Sequence, residues 1–99
     1  MRDPEIMARV KEILAQISAI APGHAIELRV PPYSAIQCGE GPKHTRGTPP
    51  NVVEMSAETL IALANRSTTW SEATYAGKVI ASGERSDISA FFTELLPEK

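Results

Sequence analysis

The chain is short of most things that would announce an activity. It holds one cysteine, Cys38, in 99 residues, so an internal disulfide framework is excluded and a reducing, cytoplasmic setting is expected. Its apolar runs are far shorter than the ~20 residues that cross a bilayer, and no basic segment followed by an apolar one opens the chain. Neither a membrane span nor export is expected. Charge of a single sign is lacking as well: ten Lys and Arg stand against twelve Asp and Glu, for a formal net charge of −2. That balance leaves no electrostatic footprint for nucleic acid.

Catalytic and metal-binding patterns are equally scarce. There is no Cys-x-x-Cys, His-Glu-x-x-His or Gly-x-Ser-x-Gly, so the usual zinc sets and the nucleophile elbow are missing. "GEGPKHTRG", residues 39 to 47, has glycines and a Lys in the wrong order for a phosphate loop, and it leads into a strand. Cys38 and His44 are loosely spaced and His24 is remote, which is weak ground for a metal. Period-two counting turns Cys38 inward beside Ile36, against a role as nucleophile. No catalytic residue, metal ligand or cofactor is expected.

What is present is punctuation and periodicity. Asp3-Pro4-Glu5 opens a helix, and Ile6, Val10, Ile13, Leu14, Ile17 and Ile20 recur at helical spacing until Pro22-Gly23. From Ala25 the period becomes two: Ile26, Leu28 and Val30 share a face, with Glu27 and Arg29 opposite. Pro31-Pro32 interrupts, a second strand runs from Tyr33 to Cys38, a loop from Gly39 to Asn51, and a third strand from Val52 to Met55. Ser56 caps a helix through Asn65, and Thr69-Trp70-Ser71-Glu72 is a capping box for another that ends at Gly77. Lys78 to Ser82 reads as a fourth strand. Ser86 then caps a last helix striped by Ile88, Phe91, Phe92, Leu95 and Leu96. The expected fold is α+β: one domain over residues 1–99, in two layers. A mostly antiparallel sheet of four to five strands is covered by helices, in the order α-β-β-β-α-α-β-α.

Two stretches carry a family resemblance: "RVPPYSAIQC" running into "GPKHTRGTPPNVVE", and "TTWSEATYAGKVIASGERSDISAFF". With them the chain resembles the sterol carrier protein 2-like superfamily, and within it the small actinobacterial "bacterial SCP orthologue" proteins. The resemblance spans nearly the whole chain. It implies an apolar cavity between sheet and helices that holds a lipid-like ligand, and no cofactor. Four strands are read here where that fold usually has five.

Two groups of residues are candidates for such a ligand. In the loop, Arg46 is suited to clamp a carboxylate or phosphate, with Thr45 assisting and His44 adding a pH-sensitive contact. The same loop reads equally well as a stiffened connection between strands, with its cations facing water or pairing with Glu40 or Glu54. Four of the chain's five aromatics, Trp70, Tyr75, Phe91 and Phe92, form the second group. By the resemblance these line the cavity; by packing needs alone they are core. Adjacent on a helix, Phe91 and Phe92 point about a hundred degrees apart, so one faces the sheet and the other the flank.

The leading expectation is a non-enzymatic binding domain for an apolar or amphipathic ligand. Two alternatives stand beside it. One is a protein-interaction or homodimerisation module with a solid core. The other rests on analogy alone: an accessory domain to a thiol-dependent, maleylpyruvate isomerase-like enzyme.

Overall fold

Asp3 starts the first helix with its side chain, which accepts from the backbone N–H groups of Glu5 and Ile6 at 2.9 and 3.3 Å. Pro4 takes the first helical position, where a missing N–H costs nothing. This helix, α1 (Pro4–Ile20), buries Val10, Ile13, Leu14 and Ile17 along one stripe. The computed structural model describes residues 3–41 and 51–95.

Four strands follow the alternation of the sequence: β1 (Ile26–Val30), β2 (Ser34–Cys38), β3 (Asn51–Met55) and β4 (Val79–Ser82). They form one sheet in the order β2-β1-β3-β4. The pairs β1–β2 and β3–β4 are antiparallel, and β1–β3 is parallel. The parallel pair arises because the chain, on leaving β2, returns to the start of β1, where Asn51 stands opposite Ile26. Pro31-Pro32, a cis peptide, turns β1 into β2.

Helices α2 (Ala57–Ala64), α3 (Trp70–Tyr75) and α4 (Ser89–Thr93) complete the expected order. Ser56 caps α2 by accepting from Thr59 N at 3.2 Å. Both halves of the Thr69/Glu72 capping box form at α3. The last cap differs from expectation. The Ser86 hydroxyl donates to the carbonyl of Gly83 at 2.7 Å, and α4 begins after Ile88 with no side-chain cap. A serine hydroxyl bonds whichever backbone group is nearest, and here the preceding turn offers one first.

All four helices lie on one face of the sheet, and the buried side chains form one contiguous cluster. Its centre is filled. Val10, Ile17, Leu28, Val30, Cys38, Val53 and Leu60 are 0% exposed, so no water-sized void touches any of them. The opposite face carries Glu27, Arg29 and Glu54, with Arg29 bonded to Glu27, alongside Val52 and Ile80, and no helix among the described residues packs on it.

Gly23 is required by close approach. Its φ is +140°, and a Cβ there would meet the Gly39 carbonyl oxygen at 2.0 Å. That contact lets Gly39 N bond Ala21 O at 2.8 Å, tying the end of β2 to the end of α1.

Candidate functional site

Where the centre is solid, the flank is not. Between the end of α2, the start of α3 and α4 lies a solvent-open cleft of about 430 Å³, within the range of small-molecule sites. Its floor is apolar: Leu63 from α2, Trp70 from α3 and Phe92 from α4. The Trp70 and Phe92 rings pack against each other, centroids 6.3 Å apart and planes inclined by 33°. Trp70 is half-buried because it opens α3 immediately after the Thr69 cap, which holds it at the junction of two elements instead of inside one.

The rim is polar. Arg66, in a left-handed conformation with φ of 64°, turns back across the cleft and donates through Nη2 to the carbonyls of Thr93 and Leu95 at 3.0 and 3.1 Å. Thr93 ends α4 and Leu95 follows two residues on, and neither carbonyl has another partner among the described residues, so the guanidinium joins the C-terminal end of α2 to that of α4. Its remaining N–H groups meet no protein acceptor among the described residues. Thr68, Thr69 and Ser71 add hydroxyls, and Asp87 and Ser89 close the far side. Hydrogen bonds from Ser89, one of them from its backbone N–H at 3.0 Å, hold the Asp87 carboxyl below its ordinary pKa.

A second groove, of about 450 Å³, lies where α1 ends and β1 begins, and Ile20, Ile26, Arg85 and Phe91 line it. The two adjacent phenylalanines are thus divided: Phe92 is buried at the first cleft and Phe91 is half-buried at the second. Tyr75 lines neither; it ends α3 at 96% exposure. His44, Thr45 and Arg46 lie outside the described residues.

Reading the sequence did not single out Arg66, Asp87 or Asn51. Arg66 carries no local signal, because a non-glycine in the left-handed region is uncommon and the residues around it read as an ordinary turn. Asp87-Ile88-Ser89 has the spacing of an Asx turn, which is legible in hindsight. Asn51 is 4% exposed and joins three segments: its Nδ2 donates to Ala25 O and its Oδ1 accepts from Arg85 N, both at 2.9 Å.

Among the described residues, no group of three or more His, Cys, Asp or Glu is placed to hold a metal ion. Cys38 is buried, and desolvation pushes its thiol up from 9.0 to about 11. No helix is long and apolar enough to cross a membrane among the described residues.

Comparison with curated proteins finds no match. Comparison with protein families does: residues 2–95 fit the family model described as bacterial SCP ortholog. A match over that span, together with the helix and strand order, means that the chain belongs to this bacterial sterol carrier protein-like family.

Proposed function

We propose that the protein is a non-enzymatic carrier domain that holds a small amphipathic molecule in the cleft between α2, α3 and α4. The observation that carries this reading is the pairing of an apolar floor, Trp70 on Phe92, with a cation that keeps free donors, Arg66, at one rim. Family membership supports a lipid-like ligand. The filled centre favours a ligand seated at the flank, with its hydrocarbon on the aromatic pair and its anionic head toward Arg66. Arg66 supplies there the cation that the sequence sought in Arg46. The buried, high-pKa thiol supports binding without covalent chemistry, and a single free thiol fits a cytoplasmic setting.

Magnitudes favour a short ligand bound modestly. Covering roughly 200 Å² of hydrocarbon at about 25 cal/mol per Å² gives about 5 kcal/mol before association costs. The Arg66–carboxylate pair adds about 0–1 kcal/mol, mostly as orientation. Before those costs the sum corresponds to a Kd of about 0.04–0.2 mM, so a chain of about ten carbons binds no tighter than that.

Trp70 is the only tryptophan, so its fluorescence reports on the cleft directly. Titration with decanoate below its micellar concentration is expected to give a saturable change. Arg66→Gln should weaken decanoate up to about fivefold and leave decanol unchanged. A signal that never saturates, with either amphiphile, overturns the carrier reading.

A further inference from the structure

One charge of each sign lines the cleft between α2, α3 and α4: Arg66 on one rim and Asp87 on the far side. No ion pair joins them, so the guanidinium nitrogens and the carboxylate oxygens stand more than 4.0 Å apart. Each is held by backbone groups instead. Arg66 donates to the carbonyls of Thr93 and Leu95, and Asp87 Oδ1 accepts from the backbone N–H of Ser89 at 3.0 Å. The two charges thus keep their separation in a cleft whose floor is the Trp70–Phe92 pair.

Opposite charges fixed in one cleft act on a ligand according to how its own charge is distributed. A lone carboxylate is drawn to Arg66 and repelled by Asp87, and a lone ammonium meets the reverse. A head that carries both signs gains from both groups. Asp87 also sets the kind of cation. A carboxylate offers about four acceptor sites, and Ser89 fills Asp87 with one backbone and one side-chain hydrogen bond, so acceptor sites remain for an N–H donor. The Ser89 hydroxyl lines the same cleft as a further acceptor. A primary ammonium uses these groups, whereas a quaternary ammonium has no N–H to donate.

Resting on the carrier reading, we propose that the ligand's head is zwitterionic, with a primary ammonium facing Asp87 and an acid group facing Arg66, on a hydrocarbon chain laid over Trp70 and Phe92. The ligand class is an amino acid with a long apolar side chain. Both polar contacts lie at a solvent-open rim, so they set preference more than affinity.

Titration of the full chain, followed through Trp70 fluorescence near neutral pH, compares 2-aminooctanoate with octanoate and octylamine. The zwitterion is expected to bind about two- to fivefold tighter than either singly charged probe. Asp87→Asn keeps an acceptor for the Ser89 N–H, and so the start of α4. It should abolish the preference for 2-aminooctanoate and tighten octanoate, because the repelling charge is gone; damage to the fold would weaken both. A zwitterion that binds no tighter than the better singly charged probe, or a preference that survives in Asp87→Asn, overturns the inference. Saturable binding of decanoate in the same experiment would then leave the carrier reading standing. If decanoate also fails to saturate, both fall together.

Discussion

At the scale of single residues, burial decides chemistry more than residue type does. Cys38 was legible as an inward residue because it shares parity with Ile36 on β2, and at 0% exposure it is core. Its titration follows from that position. The folded chain holds the thiol neutral to about 11, while the unfolded chain ionises near 9.0. The folded pKa is the higher one, so this stabilisation is complete below pH 9.0 and is lost as pH rises toward 11. Urea unfolding of the parent should lose stability over that window, and the loss should be smaller in Cys38→Ala; equal slopes would refute the assignment. Asn51 and Arg66 show why other residues were not legible. Each acts on backbone groups distant in sequence, Asn51 on Ala25 and Arg85, Arg66 on Thr93 and Leu95. No local pattern encodes a partner that tertiary packing brings near.

Among elements, those with local signals at both ends are the ones that sequence places well. Asp3-Pro4 and the stripe through Ile17 fix α1, and the period-two run from Ile26 fixes β1. The parallel pairing of β1 with β3 has no such signal, since it depends on where the chain lands after residues 42–50. Helix α4 lost its expected cap because a nearer carbonyl took the Ser86 hydroxyl. Helix α3 shows the opposite case. At six residues it is too short to be stable alone, so its capping box carries much of its local stability. Thr69 Oγ1 accepts from Glu72 N, and Thr69 N donates to Glu72 Oε1, both at 3.1 Å. Thr69→Ala should cost about 1 kcal/mol of unfolding free energy. Because Trp70 is the next residue, the same change should weaken decanoate binding in the folded protein. Unaltered binding would show that the cap does not position the ring.

The whole molecule presents a solid layer with a cleft beside it, and this arrangement separates the two places open to a carrier's ligand. The superfamily resemblance led to a cavity between sheet and helices, yet the side chains there leave no space next to Leu28, Val53 or Leu60. Volume of that kind cannot be read from a pattern of apolar residues, because the same stripe serves a filled core and a hollow one. Two substitutions tell the sites apart. Leu28→Ala, at the centre of β1, should cost about 3–4 kcal/mol of stability by opening a cavity. Decanoate affinity of the folded fraction should nonetheless stay within about twofold of the parent, since a change confined to the centre leaves the Trp70–Phe92 floor in place. Ser71→Phe, on the exposed rim of the cleft, should do the reverse: stability within about 0.5 kcal/mol of the parent and binding abolished by occlusion. If Leu28→Ala tightens binding or admits longer chains while Ser71→Phe binds as the parent does, the ligand enters between sheet and helices. The cleft would then be only a surface depression.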